Sequence, residues 1–167
     1  MLGKCIKVTI DMASKNKTIT LLDGGMGQEL IKRSSKEITP LWSTQVMIDE
    51  PEIVRDLHIE YIHAGSKVIT LNAYTMTPER LARDAPASDF NVLQQAAINV
   101  ALDARNQAGV EGIKVAGCLP PLVASYHAEV APEYDAMLQS YAKIVAVQAH
   151  HVDVFLCETM SSVNEAK

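Results

Sequence analysis

The chain alternates between short runs of consecutive apolar residues and longer stretches in which apolar residues recur every third or fourth position. The first kind reads as strands buried on both faces, the second as helices with one buried side. Thr18-Ile19-Thr20-Leu21-Leu22 is the first run, and it ends in Asp23-Gly24-Gly25-Met26-Gly27. Residues 67–72, 114–118 and 152–158 are the next three runs. Between them, residues 28–33 read as a short helix and residues 40–43, with the only tryptophan, as a loop. Asp49-Glu50-Pro51-Glu52 announces a helix, with Asp49 as cap, Pro51 in the first turn and Glu52 at capping-box spacing. Ile53, Leu57 and Tyr61 give that helix its buried face and Gly65 its stop. Thr77-Pro78-Glu79 starts another helix. A long one follows over residues 89–108, with Val92, Leu93, Ala96, Val100 and Ala104 inward and Gly109 at its end. Pro132-Glu133 opens a helix that buries Met137, Leu138, Tyr141, Ile144 and Val145, and residues 159–167 begin a last one.

Four strand–helix units in succession imply a parallel sheet with right-handed crossovers. An open doubly wound sheet and part of a (β/α)8 barrel both satisfy the pattern. A complete barrel takes about 250 residues, so four units in 167 residues make half of one. The expected fold class is α/β, of the (β/α)8 TIM-barrel type, with about the first four β/α units present.

A formal charge of −5 and scattered lysines and arginines argue against nucleic acid or an anionic membrane as partner. No apolar run approaches the roughly 20 residues that span a bilayer. Residues 1–17 have no signal-peptide pattern and read as an N-terminal extension, with a strand, a flexible leader and an unrelated segment all open. Residues 18–167 form the domain. Cys5, Cys118 and Cys157 are odd in number and far apart, which suits a reducing, cytoplasmic setting.

Parallel strands deliver their C-terminal ends to one rim, so Asp23, Asn72, Cys118 and Glu158 are expected to converge there. Two carboxylates, an amide and a glycine-lined backbone suit a small polar ligand with an ammonium group. The same carboxylates would serve as an acid–base pair. Either one alone reads equally well as a helix cap or a solvated side chain; four polar exits on one rim favour a site. The glycines lack the third member of a dinucleotide fingerprint, and no Walker lysine follows. His58, His63, His150 and His151 read as surface or packing residues, and His127 as a loop histidine in solvent. Cys118 reads as a small buried hydrophobe, and Cys157 should point away from the rim if Glu158 points in.

Residues 21–30 (LLDGGMGQEL), 41–43 (LWS), 64–74 (AGSKVITLNAY), 115–121 (VAGCLPP) and 155–160 (FLCETM), in this order and spacing, resemble the homocysteine S-methyltransferase family. The resemblance covers roughly residues 18–167. It implies a barrel that binds homocysteine at its C-terminal rim and transfers a methyl group to the thiol, giving methionine. Asp23, Gly24, Gly25 and Glu158 would hold the amino-acid end, Glu158 the ammonium; Asn72 and Tyr74 would line the pocket, and Trp42 would cover the donor side. It further implies zinc on three cysteine thiolates, from strands later than those present here, so no zinc ligand is assigned in this chain. The expected partners are homocysteine and a methyl donor, and either a second copy of the chain or a C-terminal half. Two other readings are a half-barrel without catalysis and an unrelated α/β enzyme using Asp23 and Glu158 as acid and base.

Overall fold

The structure, a computed structural model, describes residues 19–167. The extension expected over residues 1–17, with Cys5, lies outside the described residues, as does Thr18. The elements are α1 (Met26–Arg33), α2 (Ser43–Asp49), α3 (Pro51–His63), β1 (Val68–Thr70), α4 (Pro78–Asp84), α5 (Phe90–Gln107), β2 (Lys114–Leu119), α6 (Tyr134–Gln148), β3 (Val154–Cys157) and α7 (Val163–Ala166). A single 3-10 turn spans Ala128–Val130.

Local chemistry sets several boundaries. Thr77 Oγ1 accepts from the Arg80 N–H at 3.1 Å, with Pro78 in the first turn of α4. Asp89 accepts from the N–H groups of Asn91 and Val92, so α5 begins one residue later. Gly65, at φ 111°, ends the turn after α3 in a conformation that a side chain would oppose.

Other expectations need correction. Asp49 does not cap α3: Glu50 occupies that position, its carboxylate turned to the hydroxyls of Ser34 and Ser35, while Asp49 accepts from Gln45. The buried face of α3 is Val54, Leu57, His58 and Ile62, so Ile53 and Tyr61 lie on its flanks. Val92 and Leu138 are exposed, because the inner faces of α5 and α6 are filled by Leu93, Ala97, Ala101 and by Met137, Ile144. The loop at residues 40–43 leads straight into α2, and α7 covers only four residues. The first apolar run is not a buried strand. It makes one parallel bridge, Leu22 to Val68, and Ile19, Leu21 and Leu22 stay exposed because the sheet continues on one side only.

β1, β2 and β3 pair in parallel, in chain order, with Ile69 opposite Val115 and Cys118 opposite Leu156. The Leu22 bridge places the first run beside β1, so all four positions follow the sequence without reversal. A doubly wound sheet reverses at its switch point; consecutive order fits part of a barrel. The core fills the space between the sheet and α3 and α5, with Leu30, Val54, Ile69, Ile98 and Val115 almost fully enclosed. A smaller cluster of Leu122, Met137 and Ile144 lies under α6. Gln148 Oε1 accepts the Cys118 N–H at 3.0 Å and its Nε2 donates to Gln94 at 2.7 Å, tying α6, β2 and α5 together. No described helix is long and apolar enough to cross a membrane.

Candidate functional site

Asp23 leaves the first run with its N–H donating to the Val68 carbonyl at 3.0 Å, one residue beyond the bridge. Its carboxylate accepts from the Thr70 N–H at 2.7 Å and from Thr70 Oγ1 at 3.0 Å. Burial pushes its pKa up to about 6; the Thr70 bonds pull against this, and the neighbouring Glu158 adds to it. Glu158 follows β3, its N–H bonded to the Leu119 carbonyl. It too is raised by burial, against the bond it accepts from Cys118 Sγ at 3.0 Å. Burial, then Glu158, lifts the Cys118 thiol well above its usual value, so Cys118 is a donor and not a thiolate.

The opposite wall is built by buried hydrogen bonds. Asn72 Nδ2 donates to the Ser43 carbonyl at 3.0 Å, and Thr75 Oγ1 donates to the Leu41 carbonyl and meets Thr44 Oγ1. These bonds fix the turn that carries Trp42. The indole lies directly on the backbone of α1: a Cβ on Gly27 would sit 2.0 Å from the ring. Trp42 also meets Tyr74 edge to face, with centroids 6.4 Å apart. Tyr61 packs under Gly24 and donates to the Gly25 carbonyl at 3.3 Å, while nothing stands within 4 Å of where a Gly25 Cβ would be.

These groups enclose a cavity of about 500 Å³. Asp23, Gly24, Gly25, Trp42, Asn72, Tyr74 and Glu158, the residues expected from sequence, all line it. Cys118 stands behind Glu158, and Cys157 faces a separate recess between α6 and α7. Trp42, Tyr126 and Thr159 are the three non-glycine residues at positive φ among the described residues, and each lines this cavity. Strained backbone held by its surroundings concentrates at functional sites.

The histidines stay apart from it. His58 is fully buried with neither ring nitrogen bonded, and burial lowers its pKa to about 4. His63 Nε2 meets the Ala108 carbonyl, His127 pairs with Glu129 in solvent, and His150 and His151 are exposed past α6. Sequence reasoning missed Thr70, Arg80, Ser125 and Tyr126. Thr70 sits two residues after the apolar start of its strand, Val68, and reads as strand filler; Arg80 and Ser125 come from a helix and a loop, where no strand-end rule points. Among the described residues, no three His, Cys, Asp or Glu side chains gather as a metal site. With the Cys118 proton engaged on Glu158, the residues present do not fit a metal centre.

Residues 20–167 match the family described as Homocysteine S-methyltransferase. The Escherichia coli homocysteine S-methyltransferase is 29% identical over 88% of this chain and 52% of its own length. Homocysteine S-methyltransferase YbgG of Bacillus subtilis is 25% identical over 89% of this chain and 52% of its own. The crystal structure of the homocysteine methyltransferase MmuM from Escherichia coli, metallated form, superposes with a TM-score of 0.75 at 27% identity, covering 89% of this chain and 57% of that one. The chain thus spans about half the length of these relatives. The match over residues 20–167 covers most of the chain: the chain belongs to the homocysteine S-methyltransferase family.

Proposed function

We propose that this chain binds homocysteine in the rim cavity and forms the substrate-binding half of a homocysteine S-methyltransferase with a (β/α)8 barrel. The observation that carries the reading is the meeting of Asp23 and Glu158, from the first and fourth strand positions, in one cavity floored by Gly24 and Gly25. An ammonium group between two half-buried carboxylates offsets their mutual repulsion and lost hydration. The open backbone at Gly25 leaves room for a ligand carboxylate, and Asn72, Tyr74 and Trp42 wall the remaining space. Zinc, which in the full-length family would supply thiolate activation, has no ligand set among the described residues. This chain's own contribution is therefore binding and orientation. The exposed sheet edges would meet the rest of the barrel, as further sequence, a separate C-terminal half or a second copy. Cys118 and Cys157 as free thiols go with a cytoplasmic setting.

Titration calorimetry with L-homocysteine tests the reading. Glu158→Gln should weaken binding about 10- to 100-fold, as removal of a charge-assisted bond does, and wild-type affinity should rise as pH rises through about 6, where Asp23 ionises. Absence of binding, or binding indifferent to Glu158, would sink it. The value near 6 for Asp23 also favours a second reading, an acid–base enzyme. In that case Asp23→Asn abolishes turnover of a non-thiol substrate and homocysteine does not bind.

A further inference from the structure

We propose that Arg80 is a carboxylate-binding and specificity-determining residue of the rim cavity, so that a ligand with an anionic group as well as a cationic one is bound more tightly than its carboxylate-free counterpart. The inference rests on the homocysteine reading for the identity of the ligands, not for the existence of the subsite.

Arg80 lies in the first turn of α4, is 7% exposed and lines the same cavity as Asp23 and Glu158. Its Nε and Nη2 donate to the Pro121 carbonyl at 3.3 and 3.1 Å, and Nη2 reaches Ser125 Oγ at 3.4 Å. Nη1 makes no hydrogen bond among the described residues and keeps some access to solvent. The guanidinium lies over the Tyr74 ring, 5.3 Å from its centroid, and the Tyr74 hydroxyl is bonded to Ser125 Oγ at 2.6 Å. Arginine is thus held flat between a ring, a carbonyl and a hydroxyl, with one edge free.

No described carboxylate forms an ion pair with it. Neither Asp23 nor Glu158 is stabilised by it: burial, Thr70 and Cys118 account for what acts on those two acids. Burial pulls the Arg80 pKa down, and Asp84 and Glu165 offset this only through space, without a direct ion pair; a buried guanidinium with a free donor edge gains from a ligand that brings its own anion. The cavity therefore presents two acids at the strand exits and, out of their reach, one pre-positioned planar cation suited to a carboxylate. A small zwitterion satisfies both, whether it is the amino-acid substrate itself or a methyl donor with its own carboxylate.

The test compares the full chain with Arg80→Gln and Arg80→Lys, by calorimetry and ligand-detected NMR. The probes are L-homocysteine against 3-aminopropanethiol, which lacks the carboxylate, and glycine betaine against tetramethylammonium. Arg80→Gln should weaken at least one carboxylate-bearing probe about 10- to 100-fold and leave its carboxylate-free counterpart unchanged. Arg80→Lys, which keeps charge but not the fork, should restore part of the loss and serves if the glutamine variant does not fold. The probe that responds identifies which ligand Arg80 holds. Equal weakening of all four probes, or of none, overturns the proposal, as does wild type binding no carboxylate-bearing probe. If glycine betaine binds through Arg80 while homocysteine does not bind at all, the homocysteine reading fails and the subsite stands.

Discussion

The middle of the sheet and its two edges share parallel pairing but not surroundings. β1 is buried at all three positions and β2 at its four central ones, whereas β3 is exposed or half-buried throughout. On the other side Ile19 and Leu21 are 69% and 54% exposed. Yet both acids of the cavity leave from the edges, Asp23 beside β1 and Glu158 after β3. Their support comes from the middle: Thr70 of β1 holds Asp23, and Cys118 of β2 holds Glu158. The centre supports the two acids, and the edges carry them into the cavity. A ligand spanning the two acids would tie the edges together across the centre, so binding and edge stability should be linked.

The largest expected effect separates the centre from the edge by pH. His58, fully buried on the inner face of α3, is lowered from 6.5 to about 4, so below pH 6.5 the unfolded chain takes up a proton that the folded one refuses. Its contribution to stability should fall by about 3 kcal/mol between pH 6.5 and 4. Asp23, raised from 3.8 to about 6, acts with the opposite sign: its favourable contribution is complete below pH 3.8 and lost as pH rises through 6. Partial exposure reduces that term to about 1–2 kcal/mol. In urea unfolding at pH 7 and pH 4, His58→Leu should gain on wild type by about 3 kcal/mol at the lower pH. Asp23→Asn should lose ground there instead. A leucine variant with wild-type acid sensitivity would mean that the His58 nitrogens do find partners.

Much of this arrangement was legible in the chain because it depends on local rules. Thr77 and Asp89 cap as their type and spacing require, and three of the four strand-end residues, Asp23, Asn72 and Glu158, line one cavity while Cys118 stands behind it. What depended on tertiary company was not legible. Glu50 leaves its helix for Ser34 and Ser35, sixteen and fifteen residues back, which no local rule foresees. Val92 and Leu138 fit helical spacing but fall one step outside the buried stripe. The turn at Trp42 takes a positive φ because distant Asn72 and Thr75 hold its neighbours. Arg80 did leave a trace: it is a cation in the first turn of a helix, where the dipole favours acids.

Packing offers a second, smaller contrast. A Cβ on Gly117, in the middle of β2, would stand 2.6 Å from Gln148 Oε1 and from the Phe155 ring. Gln148 cannot easily yield, since it is bonded to both Cys118 and Gln94. Gly117→Ala should therefore cost about 2 kcal/mol by overpacking. Val154→Thr, on the 46% exposed start of β3, should stay within about 0.5 kcal/mol. Chemical denaturation of both variants measures the difference; equal costs would mean that the edge is as closely built as the centre.

The smallest effects probe the bonds by which the centre holds the edges. Thr70→Val removes the hydroxyl from Asp23 but keeps the Thr70 N–H bond, so it should cost about 1 kcal/mol and move the Asp23 pKa further up. Cys118→Ala removes the thiol bonded to Glu158, and a thiol is a weak donor, so the Glu158 pKa should rise by less than that of Asp23 in the other variant. Carboxyl-carbon NMR titration of each variant reads the two acids separately. Independent support predicts that each substitution moves chiefly its own acid. If either variant shifts both by similar amounts, the acids titrate as one coupled unit, and the cavity's charge belongs to the pair and not to two edges held separately from the centre.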